Sequence, residues 1–513
     1  MDLSMAQSGP SSYGSPLSFP PRQVLVQLVP HSTLFLGFLC RRVMAGSNEK
    51  VISGKEVAQH NSRESCWIIV HGKVYDVTDF LDGDLSEFPG GSKIILKYAG
   101  KDATAEYDPI HPPDAITTHL PPEKHLGRVD PETVLKVEVQ VSDQEKARQE
   151  RLANRPPLTE ILNLHDFEAI ARSVMPEKAW AYYSSAADDE ITNRENHAAY
   201  HRIWWRPRIL RDVTNVDFST KILGHHTKMP LYIIPTLASC SFDEIVDNAK
   251  PGQVQFLQLY VNKDRSITQK FVQHAEKRGI KALFITVDAP QLGRREKDMR
   301  QKFDAEDPAE VTENKQQDKV DRSQGAARAI SSFIDPGLDW KDIPWFQSIT
   351  KMPLILKGVQ CWEDALQAYD MGLAGVVLSN HGGRQLDFSR SAIEVLVEVV
   401  RELKKQRGLT FPNEKFQVFV DGGVRRANDV LKAIALGATA VGVGRPFLYA
   451  FSSYGFEGVD HALNILHDEF EMNMRLLGAR NLKEVVPEMV DASSLHSHIV
   501  AVPGDRLYDS NCK

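Results

Sequence analysis

Seven short apolar runs, with amphipathic helical stretches between them, dominate the chain from about Leu158 onward. The runs are Pro230–Pro235, Gln255–Val261, Ala282–Asp288, Pro353–Lys357, Gly375–Ser379, Phe416–Asp421 and Ala440–Gly444. Helical periodicity fills Ser266–Arg278, Glu363–Met371, Ala392–Lys405 and Asn428–Leu436. Strands alternating with helices predict a parallel sheet and the α/β class. Nearly every run ends in polar residues: Gln258 and Tyr260, Thr286 and Asp288, Lys357, Ser379 and His381, Asp421, then Gly444 and Arg445. Core packing would place apolar groups at those points. A (β/α)8 TIM barrel brings all its strand ends to one pole, where its chemistry sits, so a barrel is the expected fold.

Residues 51–130 read as a separate, small α+β unit. Cys66–Val70 and Val74–Val77 flank His71-Gly72-Lys73, a hairpin with a glycine turn. Short helical pieces are expected to follow, ending near Leu126-Gly127. Residues 131–157 form a linker, partly helical, that closes on Arg155-Pro156-Pro157. The barrel domain then spans 158–513. Residues 301–325 are polar with little periodicity and are expected to be a solvated mobile loop.

The formal charge is −7 and both signs are interspersed, which leaves no general basic surface for nucleic acid. The five cysteines are scattered and form no C-x-x-C pair, so neither a disulfide framework nor a zinc site is expected, and a reducing compartment is favoured. Residues 3–48 lack Asp and Glu and contain the apolar run Val24–Cys40. That run falls short of the ~20 residues of a membrane span and is interrupted at Pro30-His31. The segment 1–50 suits a mitochondrial presequence, a disordered tail, or an over-extended start before Met44. A mitochondrial or a cytoplasmic location is therefore expected.

Ser379-Asn380-His381-Gly382-Gly383-Arg384-Gln385-Leu386-Asp387 is the sharpest motif. The Arg384 fork suits a carboxylate, and His381 suits the proton lost as a hydroxyl carbon is oxidised. Asp288, at another strand end, would orient His381 and stabilise its imidazolium; an isolated Asp there is otherwise a turn or helix cap. Lys357 is either a charge aimed at an anionic ring or a surface lysine at a strand exit. Asp421-Gly422-Gly423-Val424-Arg425 and Gly442-Val443-Gly444-Arg445-Pro446 end the last two runs, and such glycine turns with arginine make phosphate sites. No G-x-G-x-x-G opens a helix after a strand, which disfavours a dinucleotide fold.

AWAYYSSAADDE (179–190), ENHAAYHRI, QLYVNKDR, TVDAP, LGRREKDM, SNHGGRQLDFSR, VFVDGGVRR and GRPFLYA carry a resemblance to the FMN-dependent 2-hydroxy-acid dehydrogenases. It covers about residues 158–508. With the cytochrome b5-like unit in front, the chain resembles the flavocytochrome b2 branch of that family. The resemblance implies FMN and haem b as cofactors. It implies oxidation of L-lactate or a related L-2-hydroxy acid, cytochrome c as electron acceptor, and a homotetramer. His381 would be the base, paired with Asp288. Arg384, Tyr182, Tyr260 and Arg295 would hold the substrate. Gln258, Thr286, Ser379 and Lys357 would line the flavin, while Asp421, Gly423, Arg425, Gly444 and Arg445 would take its ribityl chain and phosphate. His111 would ligate haem iron. An FMN oxidase using oxygen, or an inactive homologue, is the alternative.

Two breaks interrupt the resemblance. Met229–Ile234 runs directly into Pro235-Thr236-Leu237-Ala238-Ser239-Cys240, so about one βα step, roughly 30 residues, is missing, and seven strands stand where closure takes eight. Pro235, which has no N–H, replaces a flavin-contacting Ser; Leu237 would border the substrate pocket. In the b5-like unit, Phe88-Pro89-Gly90-Gly91 stands where a first haem histidine is expected. Phe88 cannot ligate iron, which predicts weak, five-coordinate or absent haem. His60 and His71 read as surface or hairpin residues. Misplaced exon boundaries would leave local breaks of this kind; sequencing the transcript tests that.

Overall fold

The structure, a computed structural model, describes residues 50–81, 95–107, 116, 120–131, 133, 143–232, 240–303 and 334–498. Phe88, His111, Pro235, Leu237 and the segment 1–49 lie outside the described residues.

The first unit holds a four-stranded sheet of Val51–Ser53, His125–Asp130, Lys73–Asp76 and Trp67–Val70, in that order. His71 (φ 51°) and Gly72 (φ 72°) form its two-residue hairpin loop, and positive φ at both positions matches the right-handed twist of the flanking strands. His60 stacks on Trp67 at 3.5 Å between ring centroids. The last helical piece, Pro122–Lys124, ends just before Leu126 and Gly127, as expected. They belong to a strand that pairs with both Val51–Ser53 and Lys73–Asp76. Gly127 is needed there, because a Cβ would sit 2.1 Å from the Lys50 carbonyl oxygen. The linker contains the helix Asp143–Ala153.

In the second unit, seven parallel strands form one sheet: Leu231–Tyr232, Ala440–Gly442, Gln417–Asp421, Gly375–Leu378, Leu354–Val359, Leu283–Thr286 and Leu257–Leu259, in that order. Alternation along each strand sends side chains to two faces. Leu283 and Ile285 join Val376, Val418 and the helices in one large core, while Phe284, Phe419 and Tyr232 form a smaller one on the opposite face. Tyr232 and Phe284 lie on strands five steps apart, about 24 Å in a flat sheet. Their ring centroids are 5.9 Å apart, so the sheet curls around them as in a barrel.

Closure is incomplete among the described residues. Leu231–Tyr232 pairs with Ala440–Gly442 on one side, Leu257–Leu259 pairs with Leu283–Thr286, and no described strand joins the two outer strands. The gap falls at the βα step that the sequence lacks. Residues 301–303, expected in a polar loop, instead end the helix Glu296–Phe303; 304–325 lie outside the described residues. Among the described residues no helix is long and apolar enough to cross a membrane.

Candidate active site

The loop after Gly375–Leu378 brings His381 to the pole of the sheet. Its backbone is left-handed (φ 58°), as are Gly382 and Gly383 (φ 64° and 75°). Only glycine fits at 383, where a Cβ would meet the Asn193 backbone nitrogen at 2.6 Å. The turn is stitched by two side-chain acceptors. Ser379 Oγ takes the His381 N–H at 3.0 Å, and Asn380 Oδ1 takes the Gly383 N–H at 3.0 Å.

His381 Nδ1 lies 2.8 Å from Asp288 Oδ1. Burial alone would raise the Asp288 carboxyl, but the positive charges of His381 and Lys357 and the hydrogen bond from His381 hold it below its ordinary value. An ionised carboxylate only accepts, so Nδ1 carries a proton, and in the neutral imidazole Nε2 then presents a lone pair. That lone pair faces the Tyr260 hydroxyl at 3.0 Å. Gly358 (φ 111°) leaves room for Asp288, since a Cβ there would lie 2.5 Å from the Asp288 Cγ. Gln385 locks the two loops together by donating to the carbonyls of Asp288 (2.8 Å) and Gln291 (2.9 Å).

Arg384 Nη1 donates to the backbone carbonyls of Tyr182 (2.7 Å), Ser185 (2.9 Å) and Tyr183 (3.3 Å), and its guanidinium carbon lies 5.1 Å from the Tyr182 ring centroid. Arg295 is only 5 % exposed, and its buried Nε has no partner. Burial, then the neighbouring Arg295 charge, pushes Arg384 down to about 10. Two guanidiniums held in partly or fully desolvated surroundings, one with a partnerless Nε, make a site that an anion would complete.

Beneath this cluster, Lys357 Nζ donates to Ser379 Oγ (3.3 Å) and lies 3.5 Å from Asp421 Oδ2. Burial opposes its charge, but Asp421 and Asp288 outweigh burial and raise it. It is therefore an ammonium inside the site, not a surface lysine. Gln258 donates to the Thr286 hydroxyl. Gly423 (φ 80°) closes the turn after Gln417–Asp421. Arg445 donates to the Gly382 carbonyl (2.5 Å) and to Asn193 Oδ1 (2.8 Å). Burial, with Arg384 and Arg425 adding to it, pushes Arg445 down to about 10. Arg425 turns aside to Glu168, Nε to Oε2 at 3.2 Å. Gly444 faces open space.

These residues fit a flavin phosphate cofactor by the chemistry of the donor set. The buried Asp421 Oδ1 has no partner, a cationic lysine sits beside it, and glycine turns with arginines stand at the neighbouring strand ends. The haem set does not fit in the same way, because the sequence supplies Phe88 and one histidine, His111, where two imidazoles are expected.

The structure thus brings His381, Asp288, Tyr260, Arg384, Tyr182, Arg295, Lys357 and Ser379 to one pole. Sequence reasoning assigned no role to Asn380, Asn196, Gln385 or Asp387. Asp387 accepts from the N–H groups of Ile191 (3.2 Å) and Thr192 (2.8 Å), which starts the helix Ile191–His201 on the catalytic loop.

Comparison with known proteins agrees with this site. The FMN-dependent dehydrogenase family matches residues 171–236 and 231–492, two stretches that meet where the sheet is open. The cytochrome b5-like heme/steroid binding domain matches residues 53–130. The chain is 54% identical over 484 residues to an L-lactate dehydrogenase (cytochrome) of Wickerhamomyces anomalus, covering 89% of this chain and 82% of that one. It is 48% identical over 501 residues to the Saccharomyces cerevisiae enzyme of the same name, covering 90% and 83%. A flavocytochrome b2 double mutant with pyruvate bound superposes with a TM-score of 0.64 at 48% identity, over 72% of this chain and 96% of that one. FMN and haem b are the cofactors of the two domain families matched. The chain belongs to the FMN-dependent dehydrogenase family, in the flavocytochrome b2 form that joins it to a cytochrome b5-like domain.

Proposed function

We propose that the chain oxidises L-lactate, or a closely related L-2-hydroxy acid, to the 2-oxo acid. The observation that carries this is the pair of guanidiniums, buried Arg295 with a partnerless Nε and partly buried Arg384, beside an imidazole held by Asp288 at Nδ1 and facing the Tyr260 hydroxyl through Nε2. The substrate carboxylate neutralises the arginines. Tyr182 and Tyr260 orient it, and the hydroxyl carbon is thereby presented to His381. Asp288 holds the imidazole in the accepting tautomer and stabilises it once protonated. FMN, when bound, would supply the acceptor for the two electrons released per substrate. Gln258, Thr286, Ser379 and Lys357 would line its ring. Asp421 and Gly423, with Arg425, Gly444 and Arg445, would hold its tail.

Cytochrome c is the proposed final acceptor, by analogy with the relatives named above. Phe88 in place of a haem histidine favours oxygen as the second reading. We assign 51–130 to the b5-like domain, 131–157 to the linker and 158–513 to the dehydrogenase domain, and expect a tetramer in the mitochondrial intermembrane space or the cytoplasm. Self-association has a surface to use. The Arg208 backbone N–H donates to the Leu477 carbonyl at 3.0 Å, which sets exposed Ile209 and Leu210 beside the helix end that carries Met472 and Leu476.

Anaerobic mixing with L-lactate tests the reading. The flavin absorbance near 450 nm should bleach with L-lactate and not with D-lactate. A full-flavin preparation that L-lactate leaves unbleached overturns it. Reduction of added cytochrome c, against oxygen uptake, then decides the acceptor.

A further inference from the structure

The helix Ile191–His201 touches three parts of the site within two turns, yet none of its residues has a part in the chemistry above. Asn196 Nδ2 donates to Asn380 Oδ1 at 2.9 Å, and Asn380 Nδ2 donates back to Asn196 Oδ1 at 2.7 Å. Both side chains are 1 % exposed. A reciprocal amide pair sealed from water is costly to leave half-made, because the abandoned donor and acceptor keep their desolvation penalty. Asn380 spends its remaining capacity on the catalytic turn. Its Oδ1 also takes the Gly383 N–H, and its Nδ2 donates to the Arg390 carbonyl at 2.9 Å.

The same residue meets the glycine turn on the neighbouring strand. A Cβ at Gly423 would lie 2.0 Å from the Asn196 carbonyl oxygen, and one at Gly422 would lie 3.3 Å from its amide carbon. The next residue, His197, donates through Nδ1 to the Gly423 carbonyl at 2.7 Å. One helical turn earlier, Asn193 packs on Gly383 and accepts from Arg445.

His381 needs this support. A non-glycine residue in the left-handed region stores local strain and persists only where its surroundings over-determine it. We infer that Asn196 is a positioning residue: through Asn380 it fixes the turn that aims His381, and through its backbone it ties that turn to Gly422-Gly423. The inference rests on His381 acting as the base.

The test uses the full-length holoenzyme, with turnover expressed per bound flavin. Asn196→Ala should lower kcat ten- to a hundredfold, the scale of a slightly misaimed reacting group, with KM changed less than twofold. Asn380→Ala should do the same, and the double variant should be no slower than either alone, as for two halves of one unit. Asn196→Asp keeps the acceptor and the size but loses the donor; it should fall between wild type and Asn196→Ala, and it serves if the alanine variant folds poorly. A merely structural residue would lower thermal stability and flavin content while leaving kcat per bound flavin intact, and that result overturns the inference. Multiplicative losses in the double variant also overturn it. His381→Asn separates the two levels. If it still turns over at the wild-type rate, the reading of the site falls; if it is inactive and Asn196→Ala is not impaired, only the positioning role falls.

Discussion

The strand Gly375–Leu378 and the strand Leu231–Tyr232 occupy opposite situations in one sheet. The first is paired over its whole length on both sides and delivers His381 and Arg384. The second is two residues long, paired on one side among the described residues, and faces the gap. The proposed base and carboxylate clamp thus sit on a fully paired strand, whereas Tyr260 follows Leu257–Leu259, the other outer strand. On the proposed reading, the gap removes wall where the flavin would sit and leaves the proposed base, its carboxylate partner and the proposed carboxylate clamp in place. The comparison teaches that the break threatens retention of the flavin more than proton transfer once the flavin is held.

That contrast can be broken from its strong side first. His381→Asn should lower kcat by about 10⁴-fold with KM within a few-fold, because it deletes the proton acceptor; steady-state kinetics on flavin-replete protein checks it. Arg384→Lys should raise KM about 10- to 100-fold, the equivalent of one charge-assisted hydrogen bond, since an ammonium cannot reproduce the planar fork. Substrate titration reads this directly. On the weak side, Gly442→Ala would place a Cβ 2.9 Å from the Tyr232 ring and hydroxyl. It should cost about 1–3 kcal/mol in urea unfolding, as for an overpacked core, and hasten flavin loss on dialysis while sparing kcat per bound flavin. A matching drop in kcat would erase the distinction between centre and edge.

The smallest effect is on pH dependence. Asp288 is held below its ordinary value, so the stability it contributes is present above the unfolded carboxylate pKa of about 4 and is lost as pH falls through the lower folded value. The thermal midpoint of the wild type should therefore drop more steeply than that of Asp288→Asn below about pH 4. Parallel curves throughout would mean that the Asp288–His381 pair adds nothing to stability.

Much of the fold was legible because parallel strands covered on both faces read as unbroken apolar runs. Leu283–Thr286 and Gln417–Asp421 are of that kind, and their polar ends announced the pole. The glycines of SNHGGR were legible too, since few other residues adopt those dihedral angles. The strand pair Trp204–Trp205 with Val490–Asp491 was not, because two residues carry no period and the partners lie far apart in the chain. Asn196 escaped for a related reason. Its amide partner is 184 residues away, and an asparagine inside a helical stretch looks like any solvated polar residue until its burial is seen. Arg425 was legible as a cation, but its pairing with Glu168 was not.

The left-handed backbone at residue 381 constrains how this protein can be altered by design. Side-chain scans ordinarily treat alanine as a neutral deletion, but at φ 58° it would change the main chain's preference along with the imidazole. β-Branched replacements would fare worse. Asparagine and aspartate tolerate that region best after glycine, so they report on the loss of the ring alone. A saturation library at this position would sort its members by backbone compatibility before it sorted them by reactivity.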